Sequence, residues 1–389
     1  MKAGFALGAL ALALAGCAPV PTAAVAPDRG WSGLAAMVDS AVAAGAAPGA
    51  VVGVSIAGRR WVHAAGRLGL DDPSAPDAGT VYDLASLTKV VALTPLVLEA
   101  VESARLDLDE PVARRVPEFS GPGKDAVTLR HLLTHSSGLP DWRPLYREAP
   151  DRDSALALLF ATPLDTAPGT HERYSDLGLI LAGILIERLD GAPLDSLAAR
   201  RLAALGLGDT RYRPPAAWSR RIAPTELDPW RGRMLRGEVH DENAARLGGV
   251  SGHAGLFGST RDLLRYGEWW LARVGRGGPG GAAAWGPPRT RLDSLARAFS
   301  ARQGVVPGSS RALGWDTPSE GSSAGPRLAN WSFGHTGFTG TSLWVDPSRA
   351  LVVVLLTNRV HPTRDNPRVG PLRRAVAARA AELADRAAR

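Results

Sequence analysis

Asp83-Leu84-Ala85-Ser86-Leu87-Thr88-Lys89 opens a run whose apolar residues continue, on nearly every side of a helix, to about Glu102. A helix without a polar face belongs in the middle of a fold, so residues 87–102 are expected to be central and buried. Lys89 sits inside that run, and the chain's other lysines are Lys2 and Lys124. A lysine in an apolar helix needs a partner or a task. Residues i and i+3 share a helix face, so the Ser86 hydroxyl and the Lys89 amine can meet. A serine hydroxyl attacks poorly unless a base takes its proton. Lysine can be that base if burial or cationic neighbours lower its pKa. The helix amino terminus adds a partial positive charge near the attacking oxygen. Alone, a serine three residues before a lysine is a weak motif.

Upstream, Trp31 to Ala44 has helical spacing and Gly45 is placed to end it. Residues 50–57 and 60–67 read as a hairpin across Gly58. Downstream come short helical stretches at 129–133, 153–161, 177–189, 194–205 and 260–273. Gly275 to Pro288 reads as a mobile surface loop. Strand-like stretches follow at 314–315, 332–334, 341–345 and 350–357, and an Ala/Arg helix at 372–388 closes the chain. Strands thus lie at both ends and helices in the middle. The fold class expected is α+β: an antiparallel sheet built from both chain ends, flanked by terminal helices, with an inserted all-helical lobe. The sheet lobe would span about 31–100 and 300–389 and the helical lobe about 101–299. The cleft between them is the natural site.

The 389 residues are 45% apolar and 21% charged, which suits a soluble globular protein of two lobes. The formal charge of +7 is nearly all scattered arginine. No basic block is interleaved with aromatics, which argues against nucleic acid as a partner. A monomer is expected. The single cysteine excludes an intrachain disulfide. Met1-Lys2, the apolar run to Ala15 and Leu14-Ala15-Gly16-Cys17 resemble a bacterial lipoprotein signal. Residues 1–16 would be the signal peptide, Cys17 the lipidated residue, and 17–30 a Pro/Ala-rich tether. The protein is then expected in the bacterial cell envelope, on a membrane and facing the periplasm or exterior.

Two further elements carry chemistry. Tyr174-Ser175-Asp176 follows Pro168-Gly169 and opens an apolar helix, where Ser175 or Asp176 also makes a good cap. His335-Thr336-Gly337 sits at a strand and precedes Phe338, where its glycine also suits close packing. Together with Ser86-x-x-Lys89, these resemble the ordered motifs of penicillin-recognising serine hydrolases, in particular the class C β-lactamase and DD-peptidase-like family. There the motifs are Ser-x-x-Lys, Tyr-x-Asn and Lys/His-Thr-Gly. The segments 128–139 and 255–263 are similar to stretches common in that family, and 237–243 with 248–254 resemble a penicillin-binding-protein-like subgroup.

The resemblance implies acyl transfer without a metal or other cofactor. Ser86 would form the acyl-enzyme, and Lys89 and Tyr174 would share the acid–base work. The backbone N–H groups of Ser86 and Phe338 would form the oxyanion hole. Asp176, His335, Thr336, Gly337 and His253 would meet substrate. The ammonium beside Tyr174 is expected to lower the phenol pKa. Two departures matter. Asp176 replaces Asn, so it can only accept hydrogen bonds while ionised, and it should favour a protonated Lys89. His335 replaces Lys, so it is not a permanent cation. Both shift the expectation from penicillin destruction toward DD-peptidase cleavage of D-alanyl-type amides, or related esters. A broad esterase, a true β-lactamase and a slow penicillin-binding module are the alternatives. His131 and His135 read as fold-supporting. His240 is open, and Arg359, Arg364 and Arg368 are candidates for a carboxylate site.

Overall fold

The computed structural model describes residues 29–275 and 286–389. The expected signal peptide, Cys17 and nearly all of the expected tether lie outside them, as does most of the loop expected at 275–288. Arg29 and Gly30, expected in the tether, are instead the first residues of helix α1 (Arg29–Ala43).

A five-stranded sheet is built from both chain ends. β1 (Gly49–Ile56) and β2 (Arg59–Gly66) form the hairpin. The carboxyl-terminal β8 (Phe333–Thr336), β9 (Ser342–Asp346) and β10 (Leu351–Thr357) complete it in the order β2-β1-β10-β9-β8, all antiparallel. Every residue of β10 is buried because both faces of the sheet are covered. The period of two separates the faces. Leu351, Val353 and Leu355 join Val52 and Val54 under α1 and the final helix α11 (Val369–Ala387). Val352, Val354 and Leu356 face the other way, with Tyr266 and Trp270 of α9 (Thr260–Val274). Gly267 lets α9 approach this closely, since a Cβ there would lie 2.4 Å from Val352 Cγ1.

That contact corrects one expected boundary. α9 packs on β1, β9 and β10, and α10 (Arg291–Ser300) packs on α9, so both belong with the sheet. The inserted helical lobe is smaller than 101–299. Residues 314–315 also do not form a strand; isolated bridges at Arg311 and Asp316 replace it.

A small second sheet positions the chemistry. β3 (Val81–Asp83) pairs with β7 (Leu256–Ser259), which pairs with β4 (Arg211–Tyr212). From β3 the chain turns into a π-helical segment, Lys89–Leu93, and then α2 (Thr94–Glu102), which is buried as its apolar pattern requires. The inserted lobe includes α3 (Leu129–Leu133), α4 (Leu145–Glu148), α5 (Arg152–Ala161), α6 (Asp176–Asp190) and α7 (Leu194–Ala204). Among the described residues no helix is long and apolar enough to cross a membrane.

Candidate active site

Ser86 stands at the junction of strand and helix. Ala85 before it has φ +46°, a left-handed conformation that costs a non-glycine residue about 1 kcal/mol or more. The buried Asp83 carboxylate holds that turn: Oδ1 accepts the Ala85 N–H at 2.8 Å and Oδ2 the His240 N–H at 2.7 Å. Burial pushes the Asp83 pKa up, against those hydrogen bonds. Ser86 is half-buried within an otherwise buried stretch.

Lys89 is fully buried, and its ammonium has three oxygen neighbours. Nζ donates to Ser86 Oγ at 2.8 Å and to the His253 carbonyl at 3.1 Å, and it lies 2.7 Å from Asp176 Oδ1. It also sits 5.0 Å from the centroid of the Tyr174 ring. Burial pulls the Lys89 pKa down, but the charges of Asp176 and Tyr174 outweigh it, and the net shift is upward. Lys89 is therefore an ammonium at neutral pH, as an aspartate at 176 implied. The expected drop at Tyr174 does not follow. Loss of hydration raises its pKa more than Lys89 lowers it. The phenol interacts with both the Lys89 and Ser86 side chains.

Asp176, Asp241 and His253 place ligand atoms within 4.8 Å of one another, a grouping that could hold a cation. The Lys89 ammonium already serves that grouping, through Asp176 and the His253 carbonyl, and after the His253 ring its charge helps hold Asp241 below the usual carboxylate range. The His253 ring is buried between Ser251 Oγ (2.8 Å) and Asp241 Oδ1 (2.9 Å). His253 thus supports Lys89 through its backbone and, contrary to expectation, presents no side chain to the cleft. Asp176 likewise lies on the lysine instead of lining the cavity.

The cavity has a volume of about 500 Å³, and its walls include Ser86, Tyr174, His335, Thr336, Gly337 and Phe338. β8 enters beside Ser86 because Gly337 has no Cβ; one would lie 2.2 Å from Thr341 Oγ1 and 2.4 Å from the Leu84 carbonyl. Thr339 Oγ1 and Thr341 Oγ1 donate to the Asp83 and Leu84 carbonyls, fastening this edge to the nucleophile turn. Among the described residues the backbone N–H groups of Ser86 and Phe338 have no hydrogen-bond partner. Two such donors suit an oxyanion. His335 Nδ1 meets the Thr336 carbonyl at 2.8 Å, so that nitrogen carries the proton and Nε2 is an acceptor. Burial, then Lys89 and Arg311, push the His335 pKa down to about 3, so the ring is neutral.

Three arginines line the cavity: Arg311, Arg359 and Arg373. Arg373 donates to the carbonyls of Gly337 and Thr341 and Arg359 to that of Phe338. Burial lowers Arg373 to about 10, which leaves it charged. Arg311 lies over Tyr174 and pairs with Glu172. Of the sequence candidates only Arg359 is here. Arg364 pairs with Glu226 and Glu242, and Arg368 donates to the Ala44 carbonyl. Arg311 and Arg373 belong to no motif and were missed. His240 is also placed away from the cavity, paired with Glu226 at 2.8 Å and stacked under Phe338. His131 closes the capping box of α3, as a fold-supporting residue should.

The arrangement is a serine with an ammonium and a phenol against it, facing two free N–H donors. Residues 34–378 match the β-lactamase family model. The chain belongs to the β-lactamase family. A "Putative D-alanyl-D-alanine carboxypeptidase" of Escherichia coli (strain K12) is 30% identical over 78% of this chain and 74% of its own length. An "N-acetylmuramyl-L-alanine amidase" of Bacillus subtilis (strain 168) is 32% identical over 86% and 82%. Among solved structures, a penicillin-binding protein homologue from Caulobacter crescentus superposes with a TM-score of 0.70 at 22% identity, over 93% of this chain and 99% of that one. A class C β-lactamase gives 0.70 at 20%, over 90% and 98%. These structures share the fold, and the family makes the protein a serine hydrolase.

For this family member the lysine–aspartate pair sets the pH response. Asp176→Asn removes the largest charge holding the Lys89 pKa up, and a charge that also raises Tyr174. The basic form of the coupled Lys89–Tyr174 pair then appears at lower pH. The acid limb of the kcat/KM profile is expected to move to lower pH in this variant. An unmoved limb would mean that Asp176 does not govern the pair.

Proposed function

We propose that this hydrolase acts outside the cytoplasm, tethered by a lipid on Cys17, and cleaves D-alanyl-type amides of cell-wall peptides, or closely related esters, through an acyl-Ser86 intermediate. The observation that carries the reading is the 2.8 Å contact of Lys89 Nζ with Ser86 Oγ in a cavity that Tyr174 and three arginines line. Ser86 Oγ attacks the substrate carbonyl, and the oxygen that gains charge is met by the N–H groups of Ser86 and Phe338. Attack starts from the basic form of the coupled Lys89–Tyr174 pair: Asp176 keeps Lys89 protonated, the Tyr174 oxygen is the phenolate that the ammonium offsets, and the serine proton passes to that oxygen. The phenol then gives a proton to the leaving amine or alcohol. Water reverses the steps at the acyl carbonyl.

The substrate class follows from the cavity's charge. The arginines suit a carboxylate next to the scissile bond. Neutral His335 adds no cation but offers a lone pair to a substrate N–H. The names of the Escherichia coli and Bacillus subtilis relatives, a carboxypeptidase for D-alanyl-D-alanine and an amidase for N-acetylmuramyl-L-alanine, support a cell-wall substrate.

The test is release of D-alanine from a peptide ending in D-alanyl-D-alanine, against the same peptide ending in L-alanyl-L-alanine. Release from the first alone is expected. Release from neither, with p-nitrophenyl esters hydrolysed, would replace this reading by the esterase one. In fractionated cells the wild type should follow the membrane and Cys17→Ser should not.

A further inference from the structure

His135 lies just past α3, 2% exposed, with φ +55°. Its carbonyl accepts the Arg173 N–H at 2.8 Å. Its ring Nδ1 accepts the Ser175 N–H at 3.0 Å. Between these two anchor points stands Tyr174, whose ring centroid is 4.4 Å from that of His135. One residue therefore grips the peptide units on both sides of Tyr174 and packs against its ring. We propose that His135 is the positioning residue for Tyr174, setting where the phenol stands relative to Ser86 and Lys89.

Stability alone does not single out histidine here. The positive φ favours glycine or asparagine. Nδ1 accepts a hydrogen bond, so the proton sits on Nε2, and that N–H is buried without a partner. Leucine would remove that unmet donor but leave the Ser175 N–H without its acceptor, so what the site requires is an acceptor and not a protonated ring. The distinguishing feature of histidine is a flat ring that presents an acceptor to the Ser175 N–H while stacking on the phenol. Burial, followed by the charges of Arg311 and Lys89, keeps this imidazole neutral, so the acceptor persists. The neighbouring strip reinforces the grip: the Pro140 carbonyl accepts from Ser175 Oγ and the Asp141 carbonyl from the Asp176 N–H. Among these links, only those of His135 flank Tyr174 on both sides.

The inference rests on the acyl-Ser86 reading, and its test separates the two. Hydrolysis of p-nitrophenyl acetate is followed for the wild type, His135→Asn, His135→Gln and His135→Leu, each normalised to the serine titrated in a burst. Asparagine tolerates the backbone and can place its Oδ1 near the position of Nδ1. Glutamine has similar bulk but reaches too far, and leucine has no acceptor. The Gln and Leu variants are expected to lose about 100-fold in kcat with KM within about threefold, and Asn to stay within about fivefold of wild type. A residue that served folding alone would change the titre and the melting temperature, not kcat per titrated serine. Wild-type kcat in the Gln variant overturns the inference even if the Leu variant fails to fold, and so does an Asn variant as slow as Gln. A wild type that titrates no serine overturns the acyl-Ser86 reading and this inference with it.

Discussion

Ser86→Ala is expected to lower kcat/KM by about 10⁴–10⁶-fold while the protein stays folded. The loss is large because every later step needs the ester that Ser86 alone can form. The fold should tolerate it for a local reason. The Ser86 side chain is half-buried, and among the described residues it meets only the Lys89 ammonium and the Tyr174 phenol, both of the catalytic group. Lys89 keeps its other two oxygens, on Asp176 and His253. Alanine also suits the start of a helix segment. A thermal melt within a few degrees of wild type, beside absent turnover, is the expected pair of readings. Turnover within tenfold of wild type would remove Ser86 from the mechanism.

Lys89→Met should damage both properties. Methionine approximates the length of the stem but leaves Asp176 without its ammonium partner and Asp241 without one of the charges that keep it ionised. Removing one partner of a buried pair typically costs about 3–5 kcal/mol, and activity should fall about 10³–10⁴-fold. The sign of the pH dependence follows from the carboxylates. His253 foremost, and Lys89 to a lesser degree, hold Asp241 below its ordinary range, so in the wild type part of the stability present above the ordinary carboxylate pKa comes from Lys89. Without the ammonium the folded-state pKa rises, and protonation removes the unpaired charge. The stability deficit, measured by denaturant melts, should therefore be smaller at pH 5 than at pH 8. A deficit that does not change with pH would show that Lys89 adds nothing to what His253 does for Asp241.

The layout of the molecule was legible because its signals are local. Alternation and length marked β1, β2, β9 and β10, and Ser86, Lys89, Tyr174 and His335 stand in short motifs whose spacing survives in the sequence. Lys124 shows why a buried lysine alone decides little. It donates to the Phe160 carbonyl at 2.6 Å and does no more than join parts of the helical lobe. What was not legible depends on contacts between distant segments. Arg373 lies in an Ala/Arg helix where nothing local separates it from its solvated neighbours, yet it reaches the Gly337 carbonyl. Arg311 follows a turn and gains meaning only over the Tyr174 ring. Burial decided the Tyr174 pKa against a sequence argument that considered charge alone. His253 sat in the right segment, but its backbone, not its ring, meets the lysine.

The most direct test of the acyl-Ser86 account is the mass of the protein itself. The purified enzyme would be quenched during reaction with a fluorescent penicillin, its intact mass recorded, and its peptides mapped. The account predicts a stoichiometric adduct on the peptide that contains Ser86, absent from Ser86→Ala. An adduct on any other residue, or penicillin consumed equally by both proteins, would contradict it.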